Sequence, residues 1–171
     1  MDITQLILDD HHEQRRRFAM LDQIDRADTA ALDAVWQRLA TFLEVHAAAE
    51  EKFFYPALLE LGKGAGSKDS ADAETEDAIG DHNEIRDAVA KVASHAVGDD
   101  AWFDAIALAR KANSTHMGEE ERESLADFRR HAGSDKLHRL AVAFAAFEGR
   151  CHAGVDVRNR DAESYIEQHK G

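Results

Sequence analysis

A single proline, Pro56, is all that interrupts a chain whose apolar residues recur every three to four positions in five separate stretches. Proline removes a backbone donor and breaks helices, so a chain with one proline in 171 residues is free to run in long helical segments. The periodicity predicts a first helix from Asp2, a capping residue, to about Asp25, with Ile3, Ile7, His11, Gln14, Phe18 and Leu21 on one face. A second, from Asp28 or Thr29, carries Leu32, Val35, Leu39, Phe42, His46, Glu50 and Phe53. The segment Gly62 to Thr75 has no apolar face and several glycines, and is expected to be a linker. A third helix, Glu76 to Val97, shows Ile79, His82, Ile85, Val89, Val92 and Ala96. A fourth follows the turn Gly98-Asp99-Asp100, with Trp102, Ile106, Ala109, Asn113, His116 and Glu120. After Gly133-Ser134 comes a fifth with Leu137, Leu140, Phe144 and Phe147, and a short helix is expected around Asp161 to His169.

These elements imply an all-α fold, an up-down-up-down four-helix bundle over residues 1–132. Residues 133–171 form an additional C-terminal helix and polar tail, docked on the bundle or meeting a second copy, so the chain is expected to be a monomer or homodimer. A net charge of −13 argues against a nucleic-acid surface. The longest apolar run, Leu140 to Phe147, is far short of the roughly 20 residues a membrane helix needs. Met1-Asp2-Ile3-Thr4 lacks the basic start and apolar core of a signal peptide, and Cys151 is alone, so a cytoplasmic location is expected.

Each of the four main stripes carries a histidine at its middle, where an unpaired polar group costs on the order of 1–3 kcal/mol to bury. The surrounding sequence repeats. Asp10-His11-His12-Glu13-Gln14-Arg15 matches Asp81-His82-Asn83-Glu84-Ile85-Arg86, and His46 to Glu51 matches His116 to Glu121 as His-x-x-x-Glu-Glu. The chain therefore reads as two related helical hairpins whose polar positions converge about a pseudo-twofold axis. His-x-x-x-Glu places an imidazole and a carboxylate about 40° apart and roughly 6 Å along one helix, so both can meet one metal centre. Two such pairs with His11 and His82 make four nitrogens and two carboxylates, a donor set for a dinuclear site in a bundle. Imidazole and carboxylate without thiolate suit iron, manganese or zinc. His11, not His12, continues the stripe of Ile3 and Ile7; His12 lies about 100° away and is expected at the surface.

On these motifs the sequence resembles the hemerythrin-like proteins, the HHE cation-binding domains, and in particular the mycobacterial subgroup with the order His, His-x-x-x-Glu, His, His-x-x-x-Glu. The resemblance covers roughly residues 2 to 130. It implies two iron ions per chain with an oxo or hydroxo bridge, held by His11, His46, Glu50, His82, His116 and Glu120. Oxygen-carrying hemerythrins have five histidines, with His-x-x-x-His on the third helix; here Arg86 stands four residues after His82. That argues against simple reversible oxygen carriage and leaves a ligand position to be filled. Tyr55 is the candidate, as a ligand or as a proton or electron donor. It lies five residues after Glu50, about 140° off an ideal helical face, and needs a bend at Pro56 to reach the site. The function expected is reaction with peroxide, dioxygen or nitric oxide, a catalase-like or peroxidase-like detoxification. The alternatives are oxygen or iron sensing without turnover, and iron storage.

Two features carry weaker expectations. Asp10 and Asp81 precede their histidines and could hydrogen-bond to ligands, but neighbours on a helix point apart. Arg15, Arg16 and Arg17 are expected to form a solvated face.

Overall fold

A computed structural model describes residues 1–170, and their regular structure is all helical, with no strand among the described residues. The helices are α1 (Ile3–Leu21), α2 (Thr29–Ala49), a π-helical turn (Glu50–Phe54), α3 (Tyr55–Leu61), α4 (Ala71–Val92), α5 (Asp100–Arg122), α6 (Ser124–His131), α7 (Ser134–Arg150) and α8 (Ala162–His169). Side-chain caps fix several starts: Asp2 accepts from the Thr4 amide, Asp28 from Ala31, Ser70 from Ala73 and Asp161 from Ser164.

Helix α1 packs antiparallel to α2, with His11 beside His46 and Phe18 beside Trp36. Helices α4 and α5 form the second hairpin, and the two hairpins close a four-helix bundle. Helix α7 docks on the side of the bundle against α1, α2 and the π-turn, bringing Phe144 onto His46 and Phe147 onto Phe53. Helix α8 lies on α4, where Tyr165 and Ile166 are buried. No helix among the described residues is long and apolar enough to cross a membrane.

The core is divided into two apolar clusters. One gathers Phe18, Leu32, Trp36, Leu43, Val89 and Trp102 toward the short turns; the other gathers Ile3, Ile7, Phe54, Leu58, Ile79 and Phe128 toward the opposite end. Between them lies a layer of buried polar side chains.

Several expected boundaries shift. Helix α1 ends at Leu21, short of Asp25, and α4 ends at Val92, leaving Ala96 exposed outside it. The linker is residues 62–70, because Ser70 caps α4 and draws Ala71–Thr75 into its first turn. On α2 Leu32 and Leu39 are buried as expected, joined by Trp36, Leu43 and Val45, with Phe54 buried just beyond it; Val35, Phe42 and Phe53 are half-buried on the flank. The last of these follows from the π-turn, and the helical break at Glu123 between α5 and α6 has no breaker residue to announce it.

Candidate metal centre

His11, His46, Glu50, His82, His116 and Glu120 all lie in the polar layer, each at most 3% exposed. Glu50 is at its middle. One carboxylate oxygen, Oε1, is 2.9 Å from His46 Nε2 and 3.9 Å from His11 Nε2. The other, Oε2, is 3.2 Å from His82 Nε2 and 3.8 Å from His116 Nε2. Glu120 Oε2 is 3.3 Å from His11 Nε2. His11, His46 and Glu50 thus make one cluster of ligating atoms, and Glu50, His82 and His116 another, sharing one carboxylate. His12 is exposed, as expected.

The outward nitrogen of every one of these histidines faces a carboxylate. His11 Nδ1 is 2.9 Å from Glu121, His46 Nδ1 3.2 Å from Asp10, His82 Nδ1 2.9 Å from Glu51, and His116 Nδ1 3.5 Å from Asp81. An ionised carboxylate only accepts, so each Nδ1 is the protonated nitrogen and each Nε2 presents its lone pair inward. The repeat explains the arrangement. Asp10 and Asp81 do not serve the histidines they precede; each turns to the histidine of the other helix in its own hairpin. Glu51 and Glu121, the second Glu of each His-x-x-x-Glu-Glu, reach across to the other hairpin.

The repeated Asp and the doubled Glu are the sequence signal for these partners; periodicity along one helix does not assign Glu51 or Glu121 to a histidine across the bundle. Arg86 also finds its place here. It donates to Glu51 at 2.5 Å, as its repeat counterpart Arg15 donates to Glu121 at 2.7 Å. The Asp-His-x-Glu-x-Arg pattern therefore encodes a histidine and the cation that steadies its carboxylate partner. Arg16 and Arg17 pair with Glu13, as a solvated face would.

Lone pairs aimed at one another and at buried carboxylates repel. His11 Nε2, His46 Nε2, both oxygens of Glu50 and Glu120 Oε2 are sequestered from solvent without a hydrogen-bond partner, and His82 Nε2 faces His116 Nε2 at 3.1 Å. A protein does not bury so many unpaired acceptors unless cations hold them together. The titration behaviour points the same way. Burial disfavours charge on His116, yet Asp81, Glu50 and Glu120 together push its pKa up to about 10. His46 likewise rises well above its ordinary value, burial being outweighed by Glu50 and Asp10. The layer demands positive charge, and the donor set fits metal ions.

The chain's similarity to known proteins settles which kind of site this is. Residues 2–128 match the family described as Hemerythrin HHE cation binding domain, about three-quarters of the chain. The chain belongs to the hemerythrin family. That family's domain binds cations, and the His/Glu layer is a cluster able to hold them. No curated protein and no solved structure matches the chain.

Tyr55 reaches this layer by a route an ideal α-helix does not allow. The Glu50–Phe54 segment is π-helical, and the Tyr55 amide donates to the Glu50 carbonyl five residues back. A π-turn inserts one residue, which removes about 100° from the 140° offset and leaves about 40°, the same phase as His46 and Glu50. Pro56 accounts for the widening, since it cannot donate to the Lys52 carbonyl and its ring would collide with it. The Tyr55 hydroxyl, fully buried, donates to Glu120 Oε1 at 2.6 Å. Burial and the charges of Glu120 and Glu50 hold its pKa well above the usual phenol value. Asn113 packs below, donating to Gln14 Oε1 at 2.9 Å.

Proposed function

We propose that this hemerythrin-family chain holds two iron ions, bridged by oxo or hydroxo, and uses them to consume small oxidants: hydrogen peroxide, dioxygen or nitric oxide. The observation that carries the reading is the layer of four inward Nε2 lone pairs and two carboxylates, with Glu50 shared between two histidine pairs. His11, His46 and Glu120 would serve one ion, His82 and His116 the other, with Glu50 between them. An iron pair supplies one- and two-electron exchange with small oxidants, the chemistry of a catalase-like or peroxidase-like reaction.

The chain's own groups shape what can react. Tyr55 keeps its proton at neutral pH and holds it on Glu120, so it serves as a proton donor beside the centre, and ligation by its phenolate is the competing role. Apolar residues above and below the layer exclude bulk water and restrict the site to small molecules. A cavity of about 250 Å³ lined by Arg38, Phe42, Val45, Glu148 and His152 approaches from the flank between α2 and α7. Its Glu148 carboxylate lies 3.9 Å from His46 Nδ1, so this cavity stands one side chain away from the polar layer.

Elemental analysis tests the paired site: two irons per chain are expected, and His46→Ala or Glu120→Ala loses them. One iron or none in the wild-type protein counts against it. Turnover is tested by adding hydrogen peroxide to the ferric protein and following oxygen on an electrode. Release at background level would turn the reading toward binding or sensing without turnover. A visible charge-transfer band abolished in Tyr55→Phe would make Tyr55 a ligand; an unchanged band assigns it the proton-donor role.

A further inference from the structure

Glu51, the partner of His82, is held from outside the matched domain. Its carboxylate is 1% exposed, and its two oxygens are divided between cations: Arg86 takes Oε1 and Arg160 takes Oε2, each at 2.5 Å. Arg160 precedes α8 and lies beyond residue 128. It is itself pinned. Asn83, adjacent to His82 in the chain, accepts from the Arg160 amide at 2.9 Å and donates to the Arg160 carbonyl at 2.7 Å. Tyr165 of α8 donates its hydroxyl to the Glu51 carbonyl.

The counterpart carboxylate, Glu121, has no such strap among the described residues. Glu121, the counterpart of Glu51, is 27% exposed in its side chain, and Arg15 is its one guanidinium partner. The counterpart of Asn83 is His12, which is exposed. A general docking of the tail would not require a half-exposed arginine to send its Nε into a buried carboxylate already paired with another arginine.

We propose that Arg160 and Tyr165 are positioning residues for the metal centre. Through Glu51 they fix the orientation of His82, so the ion held by His82 and His116 is retained more firmly than the one held by His11 and His46. The proposal rests on the two-ion reading above. Partners that orient a ligating histidine typically change metal affinity 10- to 100-fold.

The test is release of iron from the full chain, loaded anaerobically with two ferrous ions and mixed with excess ferrous chelator. Arg160→Ala should speed release of the slower iron at least about 10-fold while leaving the faster one within about twofold. Arg160→Lys should restore part of the difference, and Tyr165→Phe should show a smaller acceleration of the same phase. If Arg160→Ala proves poorly folded by circular dichroism, those two milder variants carry the test. Asn159→Ala, which cuts the tail's contact with Asp87 without touching Glu51, should release both irons at wild-type rates. Unchanged release in Arg160→Ala, or equal acceleration of both irons, or the same effect in Asn159→Ala, would overturn the positioning role. A wild-type chain that takes up no iron would instead overturn the reading beneath it.

Discussion

The two hairpins are built on the same pattern and finished differently. Both supply a histidine pair, a carboxylate and an arginine-steadied Glu. The first hairpin adds Tyr55 through its π-turn, and its repeat counterpart in the second is Leu125. The second closes its far end with buried carboxyls. Glu74 and Asp127 stand where the first hairpin has Ile3 and Ala57. Asp127 accepts from the Lys63 and Gly64 amides and Glu74 from the Ala65 amide, clamping the 62–70 linker. Gly64 has φ +89° there, and a Cβ would meet the Ser70 amide nitrogen at 2.5 Å. Pseudosymmetry thus governs the donor atoms and stops at what surrounds them: the inner donors converge on one shared centre, whereas each outer end answers only to its own loop.

That comparison can be broken at several points. The largest effect belongs to the residue both halves share. Glu50→Ala should reduce bound iron from two per chain to none by elemental analysis, since this carboxylate faces all four histidines. Next, the matched arginines should differ. Arg86→Ala removes a partner from a buried carboxylate and should cost about 3 kcal/mol in chemical denaturation. Arg15→Ala, at a half-exposed pair, should cost at most about 1 kcal/mol. Equal losses would show that burial does not separate the two sides.

A smaller effect tests the tyrosine. Tyr55→Phe should destabilise the metal-free protein by about 2 kcal/mol, because Glu120 Oε1 loses its buried donor. The smallest concerns the far ends. Burial and the nearby Asp127 charge raise the Glu74 carboxyl to about 8. The fold therefore holds a proton that the unfolded chain releases above 4.5, and stability declines as pH rises from about 4.5 to 8. The melting temperature should fall across that window by at least about 3 °C, and Glu74→Gln should flatten the fall.

Periodicity sufficed for the bundle because each stripe buries one continuous face. It also brought out the six inner residues, since a histidine at matched depth on each of four apolar stripes, two of them followed by Glu one turn on, is more than packing needs. Three things lay outside its reach. The helical wheel assumes 3.6 residues per turn, so it turned Tyr55 away and placed Phe53 in the core instead of Phe54. Neighbouring residues diverge on one helix, so Asp10 and Asp81 gave no sign of the adjacent helix each serves. Arg160 is separated from Glu51 by 109 residues in a polar tail, and no local pattern joins them.

The π-turn leaves everything past Glu50 written one position out of phase with what precedes it. Rewinding Glu50–Phe54 as ordinary α-helix, with every residue kept, would restore an unbroken spiral and hydrogen bonding by the usual rule. The phenol would gain nothing from the repair: it would again sit some 140° from Glu50, and Glu120 would be left facing an apolar wall. Straightening this helix at its present length and keeping its tyrosine at the polar layer are incompatible aims.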